Sequence, residues 1–326
     1  MKASEVVCTD YHTAGEPFRI VTGGVPEIAG ATVLERRDRA ASDEGVDAVR
    51  RLLCHEPRGH ADMYGCFVVP PNDGGAELGV LFWHKDGYST ACGHGTIALG
   101  AWAVESGRVR APRDGFVDVR LDVPSGRVTA RVRVKQGAVE SVAFRNVPAC
   151  LVARGVEAAG VKVDVAYGGA IYASVAAEAL GLRVEPGRLG ELIASGRAIK
   201  HALNGTAVAR HPTDDRLSGI YGTIVYEELG ALHQRNVTVF ADGEVDRSPC
   251  GSGTSARVAL LAADGAMKEG DLLRHDSIIG TTFTARIVGT SGEGILTEVE
   301  GAAYRTGEHR FVLDPRDALG TGFVLR

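Results

Sequence analysis

One short stretch occurs twice in this chain. Residues 92–98 read CGHGTIA and residues 250–256 read CGSGTSA, identical at five of seven positions and 158 residues apart. Each copy runs into a small-residue apolar segment, LGAWAVESG after the first and RVALLAADG after the second. Two glycine-rich loops in a chain of 326 residues with 43 glycines can agree by chance. A loop-plus-helix signature repeated at this distance favours a different account: two halves of similar architecture, each contributing one loop and one helix to a shared cleft.

The surrounding pattern is mixed α and β, rich in short strands. Strand-type alternation occupies 115–123, 127–135 and 138–144, with similar segments at 277–288 and 294–300. Helical spacing is present at 43–54, through Val46, Val49, Leu52 and Leu53, and at 94–106, 174–181, 188–203 and 252–263. No linker or charge block marks a domain boundary. Apolar residues make up 44% and charged residues 24%, as in ordinary globular domains. A net charge of -5 gives no basic footprint for nucleic acid and no polybasic patch for a membrane surface. No apolar run approaches the roughly 20 residues that span a bilayer.

The opening MKASEVVCTDYHTAGE lacks the cationic-then-apolar layout of an export signal, so a cytoplasmic, reducing setting is expected. The six cysteines, Cys8, Cys54, Cys66, Cys92, Cys150 and Cys250, then read as free thiols rather than a disulfide framework. No C-x-x-C pair suggests structural zinc, and no metal is expected. Cys8, Cys54, Cys66 and Cys150 are assigned to packing, as are Trp83 and Trp102.

Cys92 and Cys250 stand apart because of where they sit. Each precedes a predicted helix, next to N–H groups that have no intrahelical acceptor and at the positive end of the helix dipole. Such an end binds anions and lowers a thiol pKa. Two of them brought together would hold a substrate carboxylate between them, with a sulfur on each side of the neighbouring carbon. One sulfur, as thiolate, would remove the α-proton; the other, as thiol, would return a proton to the opposite face. Amide donors on the carboxylate would stabilise the enolate-like charge that forms. Asp246, four residues before Cys250, is placed to bind a substrate ammonium group, or else to cap a turn. His94, two after Cys92, is a donor to a bound carboxylate or an ordinary first-turn residue. Pyridoxal phosphate is the usual alternative for such chemistry and needs a Schiff-base lysine. None of Lys2, Lys85, Lys135, Lys162, Lys200 and Lys268 has a context that suggests one, so no cofactor is expected.

These motifs carry a resemblance. DYHTAGEPFRIV at 10–21, EPRGHADMYG at 56–65, CGHGT at 92–96, YGGAIYA at 167–173, DRSPCGSGTSAR at 246–257 and SIIGTTF at 277–283 are similar to the proline racemase superfamily. That group comprises proline racemases, hydroxyproline 2-epimerases and trans-3-hydroxy-L-proline dehydratases. The resemblance implies a diaminopimelate-epimerase-like α/β fold, two similar halves each with a curved sheet around a central helix. The halves are expected at 1–135 plus 306–326, carrying Cys92, and at 136–305, carrying Cys250. It implies catalysis by Cys92 and Cys250, carboxylate binding by the amides of Gly93, His94, Gly251 and Ser252, and amine binding by Asp246. Tyr167 and Gly168 are expected to line the cleft. The implied partner is a small-molecule substrate, proline or a hydroxyproline, with a homodimer possible.

Within that group the dehydratases usually carry threonine where Cys250 stands, so two thiols argue for a racemase or epimerase. The segment GIYGTI at 219–224 lacks the histidine that hydroxyproline epimerases often have there. Dehydration of trans-3-hydroxy-L-proline is the alternative reaction. A noncatalytic module holding a small amino acid is the alternative of another class, since a fold does not guarantee its chemistry.

Overall fold

Two ladders of strands with the same succession of directions build the molecule. The computed structural model describes residues 4–325; Met1–Ala3, which include Lys2, and Arg326 lie outside the described residues. The chain forms β1 (Ser4–Thr13), β2 (Glu16–Gly23), α1 (Val33–Ser42), α2 (Glu44–Cys54), β3 (Gly65–Val69), β4 (Leu78–His84), β5 (Gly87–Tyr88), α3 (Gly93–Glu105), β6 (Gly115–Val123), β7 (Gly126–Lys135) and β8 (Ala138–Arg145). It continues through β9 (Cys150–Ala158), β10 (Val161–Tyr167), β11 (Ile171–Ala176), α4 (Leu189–Leu203), β12 (Ile220–Gly230), β13 (His233–Phe240), β14 (Glu244–Asp246), α5 (Gly251–Ala263), β15 (Leu273–Ser277), β16 (Thr282–Ser291), β17 (Gly294–Gly301) and β18 (Ala303–Leu313).

The first ladder runs β18-β1-β2-β3-β4-β6-β7-β8. The second runs β9-β10-β11-β12-β13-β15-β16-β17. In each, the third and fifth pairings are parallel and the others antiparallel. A short strand hangs beside each ladder, β5 on β4 and β14 on β13, and each leads into a motif helix. An antiparallel seam between β8 and β17 joins the two. The seven-residue repeat is thus the visible remnant of a duplication of the whole topology, and the two-halved α/β architecture is as expected.

We propose that the halves divide along this seam, with β1–β8 plus β18 in one and β9–β17 in the other. This moves the edge expected at 135/136 to beyond β8, and the one expected at 305/306 back to the start of β18.

The motif helices are the cores of the halves. α3 is buried from Gly93 to Ala103 and α5 from Gly251 to Leu260, so neither has the polar face of a surface helix. Gly100 lets α3 lie close to the sheet; a Cβ there would come within 2.7 Å of the Ala130 methyl. The outer faces are covered separately. Thr32 and Glu35 form a capping box that starts α1, and Asp43 caps α2. Val33, Val46, Leu52 and Leu53 pack there with Trp83. In the second half, Leu192, Ile199 and Leu203 of α4 perform that role.

The expected helices at 43–54, 94–106, 188–203 and 252–263 form within two residues of those limits. The segment 174–181 does not. Its first residues belong to β11, held between β10 and β12, and only Ala177–Leu180 turns, as a 3₁₀ segment closed by Gly181 at φ 66°. Pairing on both edges overrides the helix propensity of alanine and glutamate. The expected strand at 277–288 is interrupted by a turn, where the Ser277 N–H donates to the Thr281 carbonyl, and β16 starts after it. Cys8, Cys54 and Cys66 are buried free thiols, and burial pushes Cys8 and Cys54 up to about 12.

His275 on β15 ties the second sheet to its helix. It is fully buried, with Nδ1 2.7 Å from Thr254 Oγ1, and Thr254 Oγ1 in turn donates to the Pro249 carbonyl. Burial, helped by the Arg257 charge, lowers its pKa from 6.5 to about 3. Between those two values the unfolded chain binds the extra proton and the folded one does not. This histidine's contribution is therefore intact above about pH 6.5 and is lost as pH falls toward about 3. Replacing His275 by Gln should flatten the fall of unfolding free energy between pH 6.5 and 4, measured by denaturant titration; an unchanged slope would contradict the assignment.

Candidate active site between two helix ends

The repeated motifs meet at their backbones. A Cβ on Gly93 would lie 2.5 Å from Gly251 Cα, and a Cβ on Gly251 would lie 2.7 Å from Gly93 Cα. Each glycine is the first residue of its helix, so α3 and α5 abut end to end. The second glycine of each motif has a matching role. A Cβ on Gly95 would come within 2.8 Å of Cys92 Sγ, and one on Gly253 within 2.9 Å of Cys250 Sγ. Each sulfur folds over its own helix end because the residue three positions on has no side chain. The spacing C-G-x-G thus places one glycine against the other motif and one beneath the thiol.

Cys92 and Cys250 line one very small cavity, of only about 10 Å³, together with Gly93, His94, Asp246 and Ser252. Tyr64, Tyr172, Tyr221 and Phe240 complete most of the wall. Cys92 is 5% exposed and Cys250 6%. Their backbones differ. Cys92 is extended, whereas Cys250 has φ 65°, a left-handed conformation that costs a non-glycine residue about 1–3 kcal/mol. Cys92 Sγ accepts from the Gly95 N–H at 3.2 Å. Cys250 Sγ lies 3.9 Å from the Tyr172 hydroxyl.

The expectation of lowered thiol pKa values is not met in this closed cavity. Burial pushes Cys92 well above the usual thiol range, with the Asp246, Cys250 and Glu16 charges adding to it, and the Gly95 N–H opposes. Burial, then the Asp246 charge, pushes Cys250 up, while the Gly253 N–H and the hydroxyls of Thr238 and Tyr172 pull it down. The helix-end donors are in place, but desolvation outweighs them.

Asp246 fixes a turn, one of its two expected roles, and also lines the cavity. Its Oδ1 accepts from the Ser248 N–H at 2.8 Å and the Ser248 hydroxyl at 2.7 Å, which fixes the turn into Pro249. Its Oδ2 lies 3.6 Å from His94 Nδ1. The His94 ring is 3.5 Å from Cys92 Sγ and is held edge-on by Tyr64 and Phe18. Arg247 does not pair with Asp246; it bonds Asp62 at 2.7 Å. Gly168 packs against α5, where a Cβ would lie 2.5 Å from the Ser252 carbonyl. Tyr167 lines a different cavity, stacked edge-on with His211.

The strand that delivers Asp246 is fastened to the opposite half. Three N–H groups in and beside β14 donate to first-half carboxylates: Asp242 to Asp86 at 2.8 Å, Val245 to Asp62 at 3.0 Å, and Arg247 to Glu16 at 2.7 Å. Glu244 adds a bond to His84 at 3.1 Å. Glu16 is fully buried, and burial beside the Asp246 charge raises its pKa well above the carboxylate range. Glu16 and Asp62 lie inside two of the quoted motifs, but neither was singled out as a site residue from the sequence. The tyrosines were also missed, although Tyr64 and Tyr172 lie inside two of the quoted motifs. His84, Asp86 and Glu244 bring possible ligand atoms within 4.8 Å of one another. Asp86, however, is already bonded by the Lys85 ammonium and the Asp242 N–H, so the group reads as a bridge between halves.

If the end-to-end contact sets the geometry, Gly251→Ala should lower the unfolding free energy by about 1–3 kcal/mol and turnover by at least about 100-fold, since neither backbone can yield. Gly292→Ala, where a Cβ meets nothing within 4 Å, is the control and should stay within about 0.5 kcal/mol. A Gly251→Ala protein as stable and active as the control would contradict the contact's role.

The chain is similar to known proteins along nearly its whole length. A family profile described as proline racemase matches residues 8–324. A trans-3-hydroxy-L-proline dehydratase of Bacillus cereus is 43% identical, with both chains covered in full. A Homo sapiens protein of the same name is 40% identical over 97% of this chain and 94% of its own. The crystal structure of a hydroxyproline epimerase from Agrobacterium vitis with bound trans-4-hydroxy-L-proline superposes with a TM-score of 0.92 at 31% identity, covering all of this chain and 96% of that one. The chain belongs to the proline racemase family of enzymes.

Proposed function

We propose that the protein removes the α-proton of a proline-type imino acid with a thiol, and that its substrate is trans-3-hydroxy-L-proline, which it dehydrates. The observation that carries the proton abstraction is the pair of sulfurs, Cys92 and Cys250, in the wall of one closed cavity at abutting helix ends. The amides of Gly93, His94, Gly251 and Ser252 take the carboxylate, where the two dipoles favour negative charge and stabilise it as it spreads from the α-carbon. Asp246 takes the imino nitrogen. His94, beside Cys92 Sγ, holds the proton that this thiol gives up before it acts as base. Burial of the cavity wall raises the value of each electrostatic contact.

The choice of dehydration rests on the relatives of that name, at 43% and 40% identity across nearly the whole chain. In trans-3-hydroxy-L-proline the carboxylate and hydroxyl lie on opposite faces, so the α-hydrogen and the hydroxyl share a face. One sulfur can therefore take the α-proton and return it to the departing oxygen. The C–H electron pair becomes the ring double bond, the C3–O bond breaks, and water and a pyrroline carboxylate result.

The second thiol favours a second reading, inversion at the α-carbon of an imino acid without a 3-hydroxyl. There the intermediate has no leaving group and takes a proton from the opposite sulfur. This isomerase reading is the one that two cysteines alone suggest, and the two reactions share their first step.

The test is a pair of single variants, Cys92→Ser and Cys250→Ser, assayed for pyrroline formation from trans-3-hydroxy-L-proline and for inversion of L-proline and the 4-hydroxyprolines in D₂O. Loss of the essential base should lower its reaction by about 100-fold or more. Inversion should fail in both variants, whereas dehydration should fail in one and persist in the other. A wild-type protein that forms no pyrroline and exchanges no α-proton would leave only a binding module and overturn the proposal.

A further inference from the structure

The carboxylate and nitrogen of a bound imino acid account for His94, Asp246, Ser252 and the helix-end amides. The remaining polar groups on the cavity wall are phenols. Tyr64 Oη bonds Ser89 Oγ, and Tyr221 Oη lies 2.9 Å from Tyr64 Oη. Tyr221 is fixed in orientation, stacked on Phe240 at 5.7 Å and met edge-on by Tyr172 at 5.7 Å. Burial raises the pKa of Tyr64 and Tyr221 well above the usual phenol range, so both are neutral hydroxyls.

Ser89 Oγ lies 3.5 Å from the Ala91 carbonyl, and in both the Ser89–Tyr64 and Tyr64–Tyr221 pairs either hydroxyl can donate. Each hydroxyl supplies one hydrogen and two lone pairs, so with either direction of donation Tyr221, at the end of the row, keeps capacity for a further hydrogen bond. Tyr221 lines the thiol cavity and also a larger outer cavity of about 360 Å³.

We propose that Tyr221, held by Tyr64, is the subsite for the ring hydroxyl and sets the enzyme's preference for a hydroxylated imino acid over plain proline. The inference rests on the proposed substrate class and extends it to a named specificity residue. Tyr221 Oη hydrogen-bonds the substrate hydroxyl and so holds that oxygen in the cavity, where a proton from a thiol can reach it. A site built to bond a hydroxyl discriminates against the analogue lacking it, because its own polar group is then left unpaired.

Binding is the cleanest readout, because it does not depend on which reaction follows. In a Cys92→Ala parent, with Cys250→Ala as a second parent, calorimetric Kd values for trans-3-hydroxy-L-proline and L-proline should differ by at least about tenfold in favour of the hydroxylated acid. Adding Tyr221→Phe should bring the two within about threefold, and Tyr64→Phe, which removes the support, should narrow the gap in the same direction. A preference that survives Tyr221→Phe, or a parent with no preference, would overturn the subsite while leaving the functional reading standing. Failure of both parents to bind either imino acid would overturn that reading and the subsite with it.

Discussion

The contact between Gly93 and Gly251 governs this molecule. Two helix N-termini, each with unpaired amides and partial positive charge, would ordinarily repel and stay solvated. Here they meet at van der Waals distance inside a protein, which only residues without a Cβ allow. The arrangement is unfavourable by itself and becomes favourable when an anion lies across both ends. The duplicated ladders serve this geometry, since each sheet surrounds one helix and presents its end at the same seam.

A second set of contacts closes the cavity. Glu16, Asp62 and Asp86 of the first half take amides around β14 of the second, so the strand that carries Asp246 is docked through its backbone rather than through apolar packing. Bonds of this kind reform readily when separated and rewetted, unlike an interdigitated core. Both sulfurs are nearly inaccessible, and these carboxylates lie among the contacts that hold the two ladders together around them. Burial also explains the thiols, since desolvation raises both pKa values in spite of the helix-end donors.

Much of this was legible in the sequence because glycine and cysteine carry their reasons with them. The repeat fixed which helices are central, and the helix spacing at 94–106 and 252–263 located them. Asp246 was legible from its distance to Cys250. What was not legible depends on partners remote in sequence. The stretch 174–181 has the composition of a helix but sits beside two strands that decide otherwise. The thiol pKa values follow from burial, which no local motif encodes. Tyr221 sits in GIYGTI, a segment notable in the sequence only for a missing histidine; its meaning depends on Tyr64 and Ser89, which arrive from the other half.

The account stands or falls on where a planar proline-like anion binds. A crystal structure of the protein with pyrrole-2-carboxylate tests this most directly. The account predicts the carboxylate across the amides at Gly93–His94 and Gly251–Ser252, with Cys92 Sγ facing one side of the ring and Cys250 Sγ the other. A ring found in the outer cavity, or with both sulfurs on the same face, would contradict it.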